Sequence, residues 1–171
     1  MNDPRDPLQE DTGPARFDVA VVMQRRASAS RWLSETWQAV AVVASSREPV
    51  IRAAGESIRR HPGGTEDFLW GGFRLHLYRD QAESYYHNLK APTPCLYVIT
   101  RTDETTGRPE PFRVSASFDE ANAYTETDAD AFPVPMPPEI HQWIERFVLA
   151  HFVPERPHKR RRQNWKEDNR P

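Results

Sequence analysis

Alternation with a period of two restricts this chain more than any other feature. Phe17, Val19, Val21 and Met23 alternate with Asp18, Ala20, Val22 and Gln24. Successive strand side chains point to opposite faces, so the pattern predicts a strand whose second face is half apolar. Trp37 to Ala44 predicts another strand, apolar on both faces and therefore central and covered on both sides. Residues 45 to 66 carry weaker signals: a short strand at Pro49-Val50-Ile51 and a turn at His61-Pro62-Gly63-Gly64. Phe68 to Tyr78 predicts a strand with Phe73, Leu75 and Leu77 on one face and Arg74, His76 and Tyr78 on the other. Gly71-Gly72 inside it predicts a bulge or sharp bend. Ser84 to Leu89 reads as a short strand, ended by Pro92 and Pro94, and Cys95 to Arg101 as the next. The run TDETTGRPEP is a hairpin-type loop, after which Phe112, Val114, Ala116 and Phe118 alternate with Arg113, Ser115 and Ser117.

The pattern then changes. Ser117-Phe118-Asp119-Glu120 fits a capping box, in which a serine oxygen takes the backbone N–H three residues on, and predicts a helix near 118 to 126. A proline-rich stretch, FPVPMPP, leads into a helix over 138 to 152. There Ile140, Trp143, Ile144, Phe147, Val148 and His151 form one apolar stripe. Pro138 suits the first helical position, Glu139 suits the positive end of the dipole, and Pro154 stops the helix.

Five to seven turn-separated strands followed by a helix are not the strand–helix alternation of a parallel sheet. They predict an α+β class: a curved antiparallel sheet or open barrel with the C-terminal amphipathic helix packed on it. The helix stripe would bury about six large side chains at roughly 1.5–3 kcal/mol each. Residues 1 to 16 have almost no apolar side chains and predict a disordered N-terminal arm, residues 17 to 153 a single domain, and residues 154 to 171 a mobile basic tail. The 16 prolines against 7 glycines concentrate in connections and tails, where a fixed φ and a missing N–H cost little.

Several function classes find no support. Net charge is -2, with an acidic stretch over 103 to 130 and a basic one over 155 to 171, so no nucleic-acid partner is expected. One cysteine, Cys95, excludes an intramolecular disulfide framework and reads as a small buried hydrophobe. No apolar leader or spanning run is present, and a soluble cytoplasmic protein of bacterial type is expected. The glycine pairs match neither phosphate-loop fingerprint, and no cofactor is expected. His61, His76, His87, His141, His151 and His158 include no pair four residues apart, so no metal is expected. The acidic run Glu126, Asp128, Asp130 has the alternate spacing of a calcium loop, but Pro137 stands where the closing glutamate belongs. Ser28, Ser30 and Ser34 lack a nucleophile elbow. The chain leans away from an enzyme. The tail bases Lys159, Arg160, Arg161 and Arg162, near Trp165, either grip an anionic surface or are simply solvated.

The remaining candidate is RRASASRWLSETW, residues 25 to 37. It is longer than a tight hairpin and predicts a broad connection at one end of the sheet. Trp37 begins the buried strand and reads as core. Trp32, beside Arg31 and within reach of Arg25 or Arg26, would make a flat cationic surface of indole and guanidinium. Such pairs are favoured at interfaces. The alternative is a tryptophan lid over the open end of the sheet. Arg25, Arg26, Arg31, Trp32 and Trp37 are the candidate binding residues.

VAVVMQRRASASRWLSETWQAVAVV, LHLYRDQAESYYHNLKAPTPCLYVITR, PVPMPPEIHQWIERFVLAHF and the final KRRR together resemble a proteobacterial family, number 3305 among the domains of unknown function. The resemblance runs over residues 17 to 162, and R-x-x-x-x-R-W-x-x-x-x-W is its most distinctive block. It implies genes beside molybdenum- and tungsten-dependent formate dehydrogenases, and for some members the label "molybdopterin-guanine dinucleotide biosynthesis protein A-like". That label implies a guanylyltransferase, which needs a glycine-rich loop on a parallel sheet, and neither is present. The expectation is a non-enzymatic accessory protein for maturing such a dehydrogenase. Its partner would be a dehydrogenase subunit or another maturation factor. The alternatives are a protein or enzyme handling molybdopterin or its guanine dinucleotide, and a general peptide-binding module.

Overall fold

Among the described residues, seven strands form two antiparallel sheets accompanied by three α-helices, so the fold is α+β. The computed structural model describes residues 15–29, 32, 34–45 and 55–154. The expected arm up to residue 14, the expected strand at Pro49-Val50-Ile51 and the basic tail from 155 lie outside the described residues.

The larger sheet has the order β2(Glu35–Ala44), β1(Ala15–Ala27), β4(Glu66–Leu77), β3(Glu56–Arg60). Ala15 and Arg16, expected in the arm, already belong to β1, where they pair with Leu77 and His76. The central position falls to β1, whose Val19, Val21 and Met23 are fully buried. This corrects the expectation for β2, which is an edge strand with Val43 41% exposed. Its second face carries small Ala and Val side chains, which a surface tolerates singly. The bulge expected at Gly71-Gly72 is present: Val19 pairs with Phe73 and Val21 with Trp70, leaving both glycines opposite Ala20. Gly72 has φ 88°, a left-handed conformation that favours glycine. β3, all of whose residues are exposed, carries no apolar period and was not readable as a strand.

The smaller sheet has the order β6(Pro109–Ser115), β5(Cys95–Thr102), β7(Asp130–Pro135). β5 and β6 form the expected hairpin, closed by Asp103 N–H to Arg108 C=O at 2.9 Å. The proline-rich run preceding the last helix contains β7, which was not foreseen. Its ladder to β5 runs from Asp130 to Pro135. Pro133 and Pro135 therefore withhold their donors from the opposite edge, where proline is tolerated. That edge runs alongside β2, and β6 runs alongside β4, but no ladder joins the two sheets. They enclose one core without closing into a barrel.

Ala82–Lys90 is a helix, α1, where a strand with Tyr85 and Tyr86 was expected. The buried positions are Ala82, Tyr85 and Asn88, three apart, and Tyr85 meets Phe147 of the last helix. Tertiary contact overrides the β preference of two adjacent tyrosines. Burial holds the Tyr85 phenol up to about 12, and its hydroxyl accepts from Tyr78 N–H and donates to Gln81 Oε1, both at 3.2 Å.

The second helix, α2(Phe118–Thr125), starts on Ser117 as expected, with Glu120 N–H donating to Ser117 Oγ at 3.2 Å. The reciprocal half of the box is altered. Ser117 N–H donates to Ser115 Oγ at 3.0 Å, and Ser115 Oγ donates to Glu120 Oε2 at 2.6 Å. This explains why Ser115 and Ser117 are buried, against the expected alternation, while Phe118 is 58% exposed. Ser117→Ala is expected to cost about 1–2 kcal/mol, since it removes the cap and the Ser84 hydroxyl contact at 3.0 Å. Denaturant unfolding monitored by circular dichroism measures it; a change under about 0.3 kcal/mol would mean the cap is replaced.

The last helix, α3(Pro138–His151), buries Ile140, Ile144 and Val148 in the shared core. Trp143 meets Phe17 at 5.2 Å and Phe147 meets Tyr85 at 6.1 Å between ring centroids, while His151 is exposed. The stripe is thus three buried positions with half-buried aromatic flanks.

Candidate functional site

Arg25 and Arg26 lie within β1, not in the connection, which is shortened to residues 28–34 and closed by Ser28 N–H to Ser34 C=O at 3.1 Å. Neighbours in a strand face opposite ways. The two arginines therefore separate, and the single cationic face expected of residues 25 to 37 splits across the sheet.

Arg25 is on the inner face, directly across from Trp37 on one side and Glu66 on the other. It donates to Glu66 Oε2 at 2.6 Å, lies 3.6 Å from Glu35 Oε2 and stands over the Phe68 ring at 5.6 Å. Trp37 packs on Phe68 and Trp70 at 5.1 and 6.2 Å between centroids, which bears out its contact with the core. Its indole N–H donates to Glu35 Oε1 at 2.9 Å. Arg108, from the β5–β6 hairpin, donates to the same oxygen at 3.0 Å and stands 5.6 Å over the indole. Glu66 is 6% exposed and also accepts from Ser57 Oγ and from Arg60 Nε at 3.1 Å. The Ser57 hydroxyl, and then Arg60 and Arg25 against the opposing effect of burial, hold its carboxyl below the ordinary range. Gly55 packs face-on to Trp70, where a Cβ would approach the indole to 2.5 Å.

Arg26 is on the outer face and donates to Gln24 Oε1 at 2.8 Å. Gln24 in turn donates to Asp67 Oδ1 at 2.8 Å, and His61 Nε2 lies 2.7 Å from Asp67 Oδ2. Burial works to raise the Asp67 carboxyl, but His61 and Gln24 outweigh it and the net shift is downward. Trp32, in the connection, is 91% exposed. The lid reading is thereby overturned: an indole closing the sheet would be buried. Arg31 and the tail bases Lys159, Arg160, Arg161 and Arg162 lie outside the described residues.

The rim thus formed is a band of alternating charge on an aromatic base, ending in a protruding indole. Glu35 and Glu66 are each paired with two guanidinium groups. Glu35, Ser57, Arg60, Glu66, Phe68, Trp70 and Arg108 were missed, because their roles depend on strand register. Only the β1–β2 hairpin neighbourhood was visible along the chain. Among the described residues, no three His, Cys, Asp or Glu side chains gather as a metal would require, and no helix is long and apolar enough to cross a membrane.

The chain matches the family described as Protein of unknown function (DUF3305) over residues 18–162, and it belongs to that family. No curated protein and no solved structure matches it.

Proposed function

We propose that this DUF3305 member is a non-catalytic accessory protein that binds a protein partner through the rim at the β1–β2 end, with Trp32 as its anchor. The carrying observation is the indole held 91% in solvent on a connection whose flanking strands are fixed by ion pairs. An exposed tryptophan gains a large contact area on docking, which is why tryptophan is enriched among interface hot spots. The family resemblance makes a molybdenum-dependent formate dehydrogenase subunit, or one of its maturation factors, the partner to test. Arg26 and Arg31 would flank the anchor.

Affinity capture of the full chain from its native host tests the reading. Enrichment of a dehydrogenase subunit or maturation factor is expected, with Trp32→Ala weakening capture by a factor of about 30 or more. Enrichment of neither, together with intact formate oxidation after deletion of the gene, defeats it. A second reading has support in β3, an edge strand exposed along all five residues, onto which a partner could add a strand. Capture that survives Trp32→Ala but is lost on Ile58→Pro, which removes one edge donor, would favour that mode.

A further inference from the structure

Among the described residues, β3 pairs only with Glu66–Leu69 of β4, and no ladder is seen along the second half of β4 on that side. β6 is likewise an edge of its own sheet. Between these two edges lies a cleft of about 300 Å³, lined by Phe73, Arg74 and His76 from β4 and by Phe112 and Arg113 from β6. A cleft of that volume lies at the lower end of the range that small molecules occupy.

The charge around the cleft is biased. Arg16 sits directly across from His76, and Arg74 across from Asp18. Arg74 Nε lies 3.3 Å from Asp18 Oδ1, and Arg113 Nε donates to Glu120. Three guanidinium groups therefore face two carboxylates. Each guanidinium carries five N–H donors; Asp18 engages the Nε of Arg74, and Glu120 and the Tyr78 hydroxyl engage Arg113, which still leaves donors on their terminal nitrogens. His76 Nδ1 is enclosed without a hydrogen-bond partner. Burial first, then Arg113, Arg16 and Arg74, keep this imidazole below its ordinary pKa, with Glu120 opposing. The ring is thus neutral in a positive field.

We propose that the β4–β6 cleft binds a small organic anion, with its phosphate or carboxylate between Arg74 and Arg113 and a flat apolar body along Phe112. Guanidinium forks match both oxyanions, and their hydrogen bonds to a charged group are the strong kind. The bound anion offsets the excess of arginine charge, so it moves His76 toward its protonated form. The cleft uses the half of β4 away from the Trp32 rim, and its occupancy does not depend on the partner proposed there.

Phenyl phosphate, benzoate and inorganic phosphate, each titrated into the full chain at low ionic strength, test this. The readouts are calorimetry and the His76 ring resonances, assigned with His76→Gln. One of the two aryl anions is expected to bind at a single site with Kd of about 1 mM or tighter, and to shift the His76 signals toward the imidazolium. The preferred arm distinguishes a phosphate from a carboxylate ligand. Arg74→Gln, a change at a half-exposed side chain, is expected to weaken binding about tenfold, and Phe112→Ala to weaken the aryl anions but not inorganic phosphate. No saturable change up to about 10 mM of either aryl anion, or an affinity unchanged by Arg74→Gln, overturns the proposal.

Discussion

Asn88→Ala is expected to destabilise the protein by about 3 kcal/mol or more, a large effect for one surface-proximal polar residue. The side chain is 8% exposed. Its amide donates to Cys95 C=O and to Ala116 C=O, both at 2.8 Å, and its oxygen accepts from Cys95 N–H at 3.1 Å. One residue therefore ties α1 to the start of β5 and to the segment that leaves β6. Truncation leaves three backbone groups without partners, each costing about 1–3 kcal/mol when enclosed, less whatever water recovers. Asn88→Asp separates this from a simple loss of volume. It keeps the size but turns a carboxylate oxygen toward two carbonyls, which raises the folded-state pKa above the unfolded one. The folded state then binds the extra proton, so the deficit of Asn88→Asp is expected to shrink as pH falls below that raised pKa, while the deficit of Asn88→Ala stays flat. Urea unfolding of both variants between pH 4 and pH 8 measures this. A loss under about 1 kcal/mol in Asn88→Ala would show that the junction is not held by this amide.

Ile144→Ala is expected to cost about 2–5 kcal/mol and to lower Tm by roughly 5–15 °C. Ile144 is fully buried between Ile140 and Val148 along α3, in the same core cluster as both sheets. The loss combines transfer of the missing methyl groups with the cavity left between sheets that cannot collapse freely. Leu149→Ala is the control, because Leu149 is 77% exposed on the same helix. It is expected to stay within about 0.5 kcal/mol of the parent. Equal losses at the two positions, read by calorimetry, would mean that the inward face of α3 is misassigned.

The elements that could be read from the chain were those whose apolar residues keep one period or form one run. β1 and β4 alternate, β5 is a short apolar run, α3 carries a stripe, and Gly71-Gly72 marked its own bulge. The failures share a cause: an element stabilised by partners distant in sequence. α1 is helical because Tyr85 meets Phe147 and because Asn88 reaches Cys95 and Ala116. β7 is a strand because β5 pairs with it through two prolines. β3 has no buried side chain, so no hydrophobic period could announce it. β2 was misplaced as central, since an apolar second face is compatible with burial but does not require it.

The same limit applies to the rim. Arg25, Arg26 and Trp37 stood out by residue type, but only register shows that the first and last share a face and the second does not. Glu66 belongs to no motif in the chain, and only cross-strand pairing places it opposite Arg25. Trp32 was ambiguous because its chemistry suits both a lid and an anchor; its exposure speaks against the lid.

The missing donors of Pro133 and Pro135 bear on how the molecule meets its neighbours. Where β7 lies near β2 no ladder joins the two sheets, so what holds them together is the apolar core they share. A border short of two donors offers a poor template, which discourages a second molecule from zipping on.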